Sequence, residues 1–178
     1  MSGVKAHPDS RAIVSSASRR RRARHRVTNV VRGAASPITF ATFDYRYDTS
    51  PTGAGDSSDV AEQTVVHMRS PQLSVPPFVL APENVLHKIG NLLGYEDIDF
   101  DDTPEFSGRY FLRAKGSEVR VRETFTVPVR TFFEGRRPLN VEASDDQLLV
   151  YYDDRLRDPA ELRSFIDEAL EIARQFMR

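Results

Sequence analysis

The chain contains no cysteine, which removes every disulfide framework and every thiolate site, accords with a reducing compartment, and leaves zinc only histidine and carboxylate ligands. No run approaches the roughly 18 to 20 consecutive apolar residues that a membrane-crossing helix needs. The N-terminal stretch lacks the apolar centre of a secretory signal, so a cytoplasmic location is the default expectation. Nucleotide-binding glycine patterns are missing as well. Gly53 and Gly55 in TSPTGAGDSSDV have no third spaced glycine, no Gly-Lys-Ser/Thr ending and no apolar helix after them, so this loop cannot cradle phosphates as a phosphate-binding loop does. There is no HExxH and no nucleophile elbow, which excludes the commonest zinc-protease and hydrolase signatures.

What is present is the mix of a folded protein: 178 residues, 39% hydrophobic and 29% charged, enough for one domain with a proper core. The net charge of -1 hides an asymmetry, because residues 1–36 carry nine Lys or Arg against Asp9 alone, or +8, so the remainder carries -9. Residues 1–25 are small, polar and then basic, with only Ile13 and Val14 to bury. Such a segment cannot offset the entropy of ordering and is expected to be a disordered arm. The single α+β domain is expected over residues 26–178. Arg19, Arg20, Arg21, Arg22, Arg24 and Arg26 form the one candidate binding group, suited to an anionic surface. A solvated linker is the plainer reading of the same run. Nucleic-acid recognition is disfavoured, since no aromatics interleave the arginines for base stacking.

From Arg26 the residues become β-branched and aromatic. RVTNVVRG and ITFATFDYRYDT are expected to pair as a hairpin turning at 34–37. In the second run Ile38 and Phe40 share one parity while Phe43, Tyr45 and Tyr47 share the other, which requires a bulge or a strand buried on both faces. The strand AEQTVVHMRS follows the glycine-serine loop. The prolines of SPQLSVPPFVLAPE suggest an edge crossing or an irregular connector, with a short strand at 78–81. Val85, Leu86, Ile89, Leu92 and Leu93 then fall on one helical stripe between Pro82 and Gly94. Asp97, Asp99 and Asp101 alternate with Ile98 and Phe100 as a strand with one wet face, and GRYFLRAK is the next strand after a turn at 103–107. Ser117 and Thr126 are placed to cap two short helices whose buried side is Val121, Phe125, Val129, Phe132 and Phe133. LNVEASDDQLLVYYDD is a hairpin closing at 144–147. Asp158, Pro159 and Glu161 open a last helix with a four-turn apolar stripe. Strands in adjacent runs predict a mainly antiparallel sheet with about three helices on one side, and disfavour a parallel nucleotide-binding sheet.

Three constellations carry a chemical reading and a plainer one. The carboxylates Glu96, Asp97, Asp99, Asp101, Asp102 and Glu105 would suit Ca²⁺ or Mg²⁺, yet Asp102 and Gly108 stand where a calcium loop starting at Asp97 needs glycine and a bidentate Glu. A solvated strand face explains their spacing better, and no metal or cofactor is expected. His67 and His87, the only histidines inside the expected fold, would be the natural general bases; packed or half-exposed histidines are the ordinary case. No catalytic residue is assigned. Tyr45, Tyr47, Tyr110, Tyr151 and Tyr152 could form an exposed aromatic platform, or be sheet residues with a buried ring and a wet hydroxyl.

RRRARHRVTNVVRG, ITFATFDYRY, TVVHMRSPQL, LHKIGNLLGYEDIDFDDTPEFSGRYFLR and QLLVYY with its following helix resemble a family of uncharacterised bacterial proteins, over residues 19–176, with GYEDIDFDDTPEFSGRY the most specific match. The resemblance implies no activity or cofactor. It implies a domain often preceded by a membrane-anchoring segment, absent from this chain, and hence a cytoplasmic module working near a membrane. Two functions are expected from this reading: a non-enzymatic protein-interaction module, acting on an unknown partner or on itself, or an anionic-surface or nucleic-acid binder acting through the arginines. An enzyme of unknown reaction stands third.

Overall fold

The computed structural model describes residues 25–48, 60–85, 95–116, 118–153 and 155–178. One eight-stranded sheet organises them, in the order β1-β2-β3-β8-β7-β4-β6-β5. The strands are β1 (Arg26–Ala35), β2 (Ile38–Asp48), β3 (Val60–Arg69), β4 (Val75–Pro82), β5 (Tyr95–Asp97), β6 (Tyr110–Lys115), β7 (Asn140–Asp145) and β8 (Gln147–Tyr151). Every neighbouring pair is antiparallel. The helices are α1 (Pro104–Arg109), α2 (Glu118–Thr124), α3 (Val127–Glu134) and α4 (Pro159–Gln175). The α+β class and the antiparallel sheet expected from the residue pattern are thus the observed architecture.

Alternation along the strands decides which side the helices occupy. Val66 and Met68 of β3, Phe78 and Leu80 of β4, Leu112 of β6, Val141 of β7 and Val150 of β8 belong to one buried cluster with Val121, Phe125, Phe133, Phe165 and Ala169 from the helical segments. Phe125 is the hub of this layer: its ring meets Phe78 edge-on at 4.9 Å and Phe176 at 5.5 Å. Burying such rings, each worth about 1.5–3 kcal/mol relative to exposure, ties α2, α3 and α4 to a single sheet face. The residues of opposite parity, including Val65, Val79 and Leu149, are buried but stand outside that cluster. They form the second face of the sheet, open only in the sense that none of the four helices among the described residues packs its core residues on it.

Local signals explain most element limits. α4 begins with Asp158 at its N-cap and Pro159 at its first position, and buries Phe165, Ala169, Leu170, Ile172 and Ala173. The expected box through Glu161 is not formed, since that carboxylate faces Arg155 at 3.3 Å instead. α3 starts after Thr126 and stops at Gly135, and Phe132 is only partly buried while Val129 and Phe133 are buried. The 7–8 hairpin closes with Ser144 opposite Gln147 and with Asp145 at φ 56, the left-handed conformation that aspartate tolerates in a tight turn.

Several expectations take a different form or fall outside the described residues. The proline-rich segment is not at an edge: β4 lies between β7 and β6, and Pro76 and Pro77 fall where its register with β7 shifts between Val75 and Phe78. Missing amide donors are tolerated there because the ladder is already interrupted. Residues 104–109, expected as part of a turn, form the short helix α1 with Pro104 in its first turn. The parity change in β2 is not a bulge of that strand, whose register with β3 is continuous. β2 carries apolar residues on both faces, Ile38 and Phe40 at the helix-side core and Phe43, Tyr45 and Tyr47 partly buried on the other, and the bulge lies in β1 at Asn29 and Val30. The alternation of the acidic segment persists as burial of Ile98 and Phe100, but regular pairing ends at Asp97. The helical stripe expected from Val85 onward has only a 3-10 turn at Glu83–Val85 among the described residues; Leu86, Ile89, Leu92 and Leu93 lie outside them, as do Ser117 and the loop 49–59.

Candidate functional site

The open face is made by the odd-numbered residues of β2, β3 and β8 and the even-numbered residues of β7, a consequence of period-two alternation and the observed register. Tyr45 lies opposite Gln63, Val65 lies opposite both Phe43 and Tyr151, and Tyr151 lies opposite Asn140. Four adjacent strands therefore deliver tyrosines, an amide and carboxylates to one surface. The Tyr151 hydroxyl donates to Glu142 Oε1 at 2.8 Å, and Asn140 Nδ2 donates to Asp153 Oδ2 at 2.8 Å. Tyr45 stacks on Tyr47 with ring centroids 5.5 Å apart. On its other side it stacks on His25 at 5.7 Å and 8° between planes, and a 2.6 Å hydrogen bond joins Tyr45 Oη to His25 Nδ1.

Electrostatics set this surface apart from the rest of the sheet. Desolvation pushes the Glu142 carboxyl up to about 7, the Tyr151 hydrogen bond opposing the shift and the Asp153 charge adding to it. Among the described residues Glu142 has no ion pair. Burial likewise pushes the Tyr45 hydroxyl up to about 12, reinforced by Tyr47 and Glu142. Burial also raises Tyr151 well above the ordinary tyrosine value, with Glu142 the next cause. Gln63 Oε1, buried on β3 opposite Tyr45, accepts no hydrogen bond among the described residues. An acceptor-rich, donor-poor aromatic surface of this kind suits a cation that can lie against tyrosine rings and hydrogen-bond a carboxylate.

The groups singled out from the sequence are distributed unequally. Of the arginines, Arg26 begins β1, exposed and opposite Arg46; Arg19, Arg20, Arg21, Arg22 and Arg24 lie outside the described residues. Of the tyrosines, Tyr45, Tyr47 and Tyr151 share the open face, whereas Tyr110 and Tyr152 belong to the helix-side core. His67 is on the open face, its Nε2 paired with Gln147 Oε1 at 2.9 Å, and desolvation lowers its pKa. His87 lies outside the described residues. In the acidic segment Asp97 pairs with Arg113 at 2.6 Å and Asp102 with Arg130 at 2.6 Å. Among the described residues no group of three His, Asp or Glu side chains is placed to hold a metal.

Glu142 is the residue that sequence reasoning missed. In NVEASD it alternates with Val141 and Ala143 and reads as an ordinary wet-face residue. Only the strand order, which puts β7 between β4 and β8, surrounds it with Val79, Leu149 and Tyr151. No helix among the described residues is long and apolar enough to cross a membrane. Comparison of the chain with protein-family models, with curated proteins and with solved structures finds no match.

Proposed function

We propose that the protein is a non-enzymatic binding module whose open sheet face receives a basic segment of a polypeptide. The observation that carries this reading is Glu142: a half-buried carboxylate hydrogen-bonded to Tyr151, close to Tyr45, and without an ion pair among the described residues. A guanidinium placed there would recover the desolvation cost of the carboxylate and gain cation–π contact with the rings. Catalysis is less well supported. A carboxyl titrating near 7 suits proton transfer, but among the described residues no nucleophile or oxyanion donor faces it, and the nearby His67 is held by Gln147.

The cytoplasmic, membrane-proximal setting belongs to the same proposal and rests on the family resemblance. The competing reading, binding of anionic membrane or nucleic acid through Arg19 to Arg26, rests on the +8 charge of residues 1–36. Fluorescence anisotropy with labelled hexa-arginine and hexa-glutamate peptides, beside vesicles of anionic lipid, separates the two. A face that binds cations takes hexa-arginine in preference and loses it in Glu142→Gln. Binding only to vesicles or hexa-glutamate, unchanged in Glu142→Gln, would overturn the proposal.

A further inference from the structure

Between α4 and the segment that follows α3 lies a cavity of about 230 Å³, lined by Arg136, Arg157, Ser164, Phe165 and Glu168. Phe165 belongs to the helix-side core, so this cavity is on the other side of the sheet from Glu142. Its volume is below the roughly 300–1,000 Å³ of a pocket for a drug-sized ligand, which limits an occupant to a small molecule. We infer that the cavity binds a free α-amino acid, with the ligand's carboxylate received by Arg157 and its ammonium by Glu168.

Arg157 carries the first half of the argument. Its guanidinium carbon lies 4.5 Å over the Tyr152 ring and 4.6 Å over the Phe165 ring, so two rings fix its position without using its N–H donors. The side chain is 11% exposed, and its one ionic contact, Glu161 Oε2 at 3.7 Å, is longer than a hydrogen bond. The same carboxylate is contacted by Arg155 at 3.3 Å. Among the described residues the Arg157 guanidinium therefore donates no hydrogen bond. A carboxylate, which can accept two parallel N–H bonds, is the partner that satisfies such a fork best. Arg136 stands on the same cavity with one nitrogen paired to Glu171 at 2.5 Å, and Arg137 lies 5.1 Å over the Tyr152 ring, so this wall is cationic.

Glu168 carries the second half. Its Oε1 accepts from the Tyr152 hydroxyl at 3.1 Å, and among the described residues it has no ion pair. Tyr152 thus touches Arg157 with its ring and Glu168 with its hydroxyl, and the two charges share the cavity without pairing with each other. Ser164 Oγ donates to Glu161 O at 2.8 Å, which leaves its lone pairs for a ligand N–H. A plain anion entering here would meet Glu168, and a plain amine would meet the arginines. A ligand bearing both charges on one carbon complements both walls.

Titration calorimetry and amide NMR on the full-length chain test this with the standard L-amino acids, and with the amide and N-acetyl derivatives of each one that binds. The expected result is an amino acid that shifts the amide signals of Arg157, Phe165 and Glu168 and binds at least about tenfold more tightly than either derivative, the factor for losing one charge-assisted hydrogen bond. Glu168→Gln should weaken the amino acid by a similar factor without weakening its N-acetyl derivative. Arg157→Lys, which keeps the charge and loses the fork, should weaken the amino acid without weakening its amide. Circular dichroism checks that both variants are folded, and the shift map of the unmodified chain decides the matter if one is not. Binding by no amino acid, or shifts that leave Arg157, Phe165 and Glu168 unmoved, would overturn the proposal. So would a derivative that binds as tightly as its parent: an equal N-acetyl form means a plain anion site, and an equal amide a plain cation site.

Discussion

Arg130 donates from Nη2 to Asp102 Oδ2 at 2.6 Å, with the arginine side chain 5% exposed and the carboxylate 61% exposed. The same guanidinium donates from Nη1 to Phe125 O at 2.6 Å and lies 4.0 Å over the Phe100 ring. One side chain thus fastens the acidic segment to the start of α3. Replacing Arg130 with alanine removes the ion pair, the carbonyl partner and the ring contact together, and is expected to cost about 2–4 kcal/mol. Replacing Asp102 with alanine is expected to cost less, about 1 kcal/mol, because its carboxylate is largely in water. Urea denaturation of both variants checks the ranking; equal losses would show that the carboxylate, not the buried guanidinium, carries the latch.

Asp44 ties two edges of the fold together. Its Oδ2 accepts from Asn29 Nδ2 at 2.7 Å and its Oδ1 from Thr64 Oγ1 at 2.6 Å, while Thr64 Oγ1 accepts from the Arg157 amide at 2.9 Å. Asn29 has φ 53 at the β1 bulge, so this network holds a residue in the left-handed region. Asp44→Ala is expected to destabilise by about 2–3 kcal/mol, since Thr64 and Asn29 lose acceptors together. A double-mutant cycle with Thr64→Val should return a coupling of about 1 kcal/mol or more. Additive losses would mean that the network is not cooperative.

Gly33 is covered by the ring of Phe40, its cross-strand partner, and a Cβ at position 33 would lie inside the ring's contact distance. Gly33→Ala is expected to cost about 1–2 kcal/mol by forcing the ring aside. Combining it with Phe40→Leu should recover part of that loss, as read by thermal melting of the single and double variants.

The elements legible from residue pattern were those whose partners are local: the β7–β8 hairpin, α4, and the α2–α3 pair, with Thr126 at the N-cap position of α3 though without a capping side-chain hydrogen bond. Three features were hidden for one shared reason, namely that they depend on which strand lies beside which. Pro76 and Pro77 argue for an edge until β7 and β6 are seen to flank β4 with the ladder broken at those residues. Glu142 has the alternation of a solvated residue, and its burial comes from Leu149 and Tyr151, which reach it through strand order. The tyrosines divide between two faces by parity, Tyr151 to the open side and Tyr152 to the core, which the sequence pattern permits but does not assign.

The titration of Glu142 joins stability to occupancy of the face. Its carboxyl is raised from 4.5 to about 7 by desolvation, so between those values the folded chain holds a proton that the unfolded chain has released. Stability from this group is therefore fully present below pH 4.5 and declines as pH rises through 7, by about 3 kcal/mol at most. The chain should show this decline, and Glu142→Gln should abolish it and raise the melting temperature at pH 8 but not at pH 4. A guanidinium bound beside the carboxylate favours its charged form, so with saturating hexa-arginine the carboxyl should titrate lower and the decline should flatten. Carbon-13 titration of the Glu142 carboxyl with and without the peptide reads this directly. A carboxyl that titrates identically in the two conditions would mean that no guanidinium of the peptide reaches it.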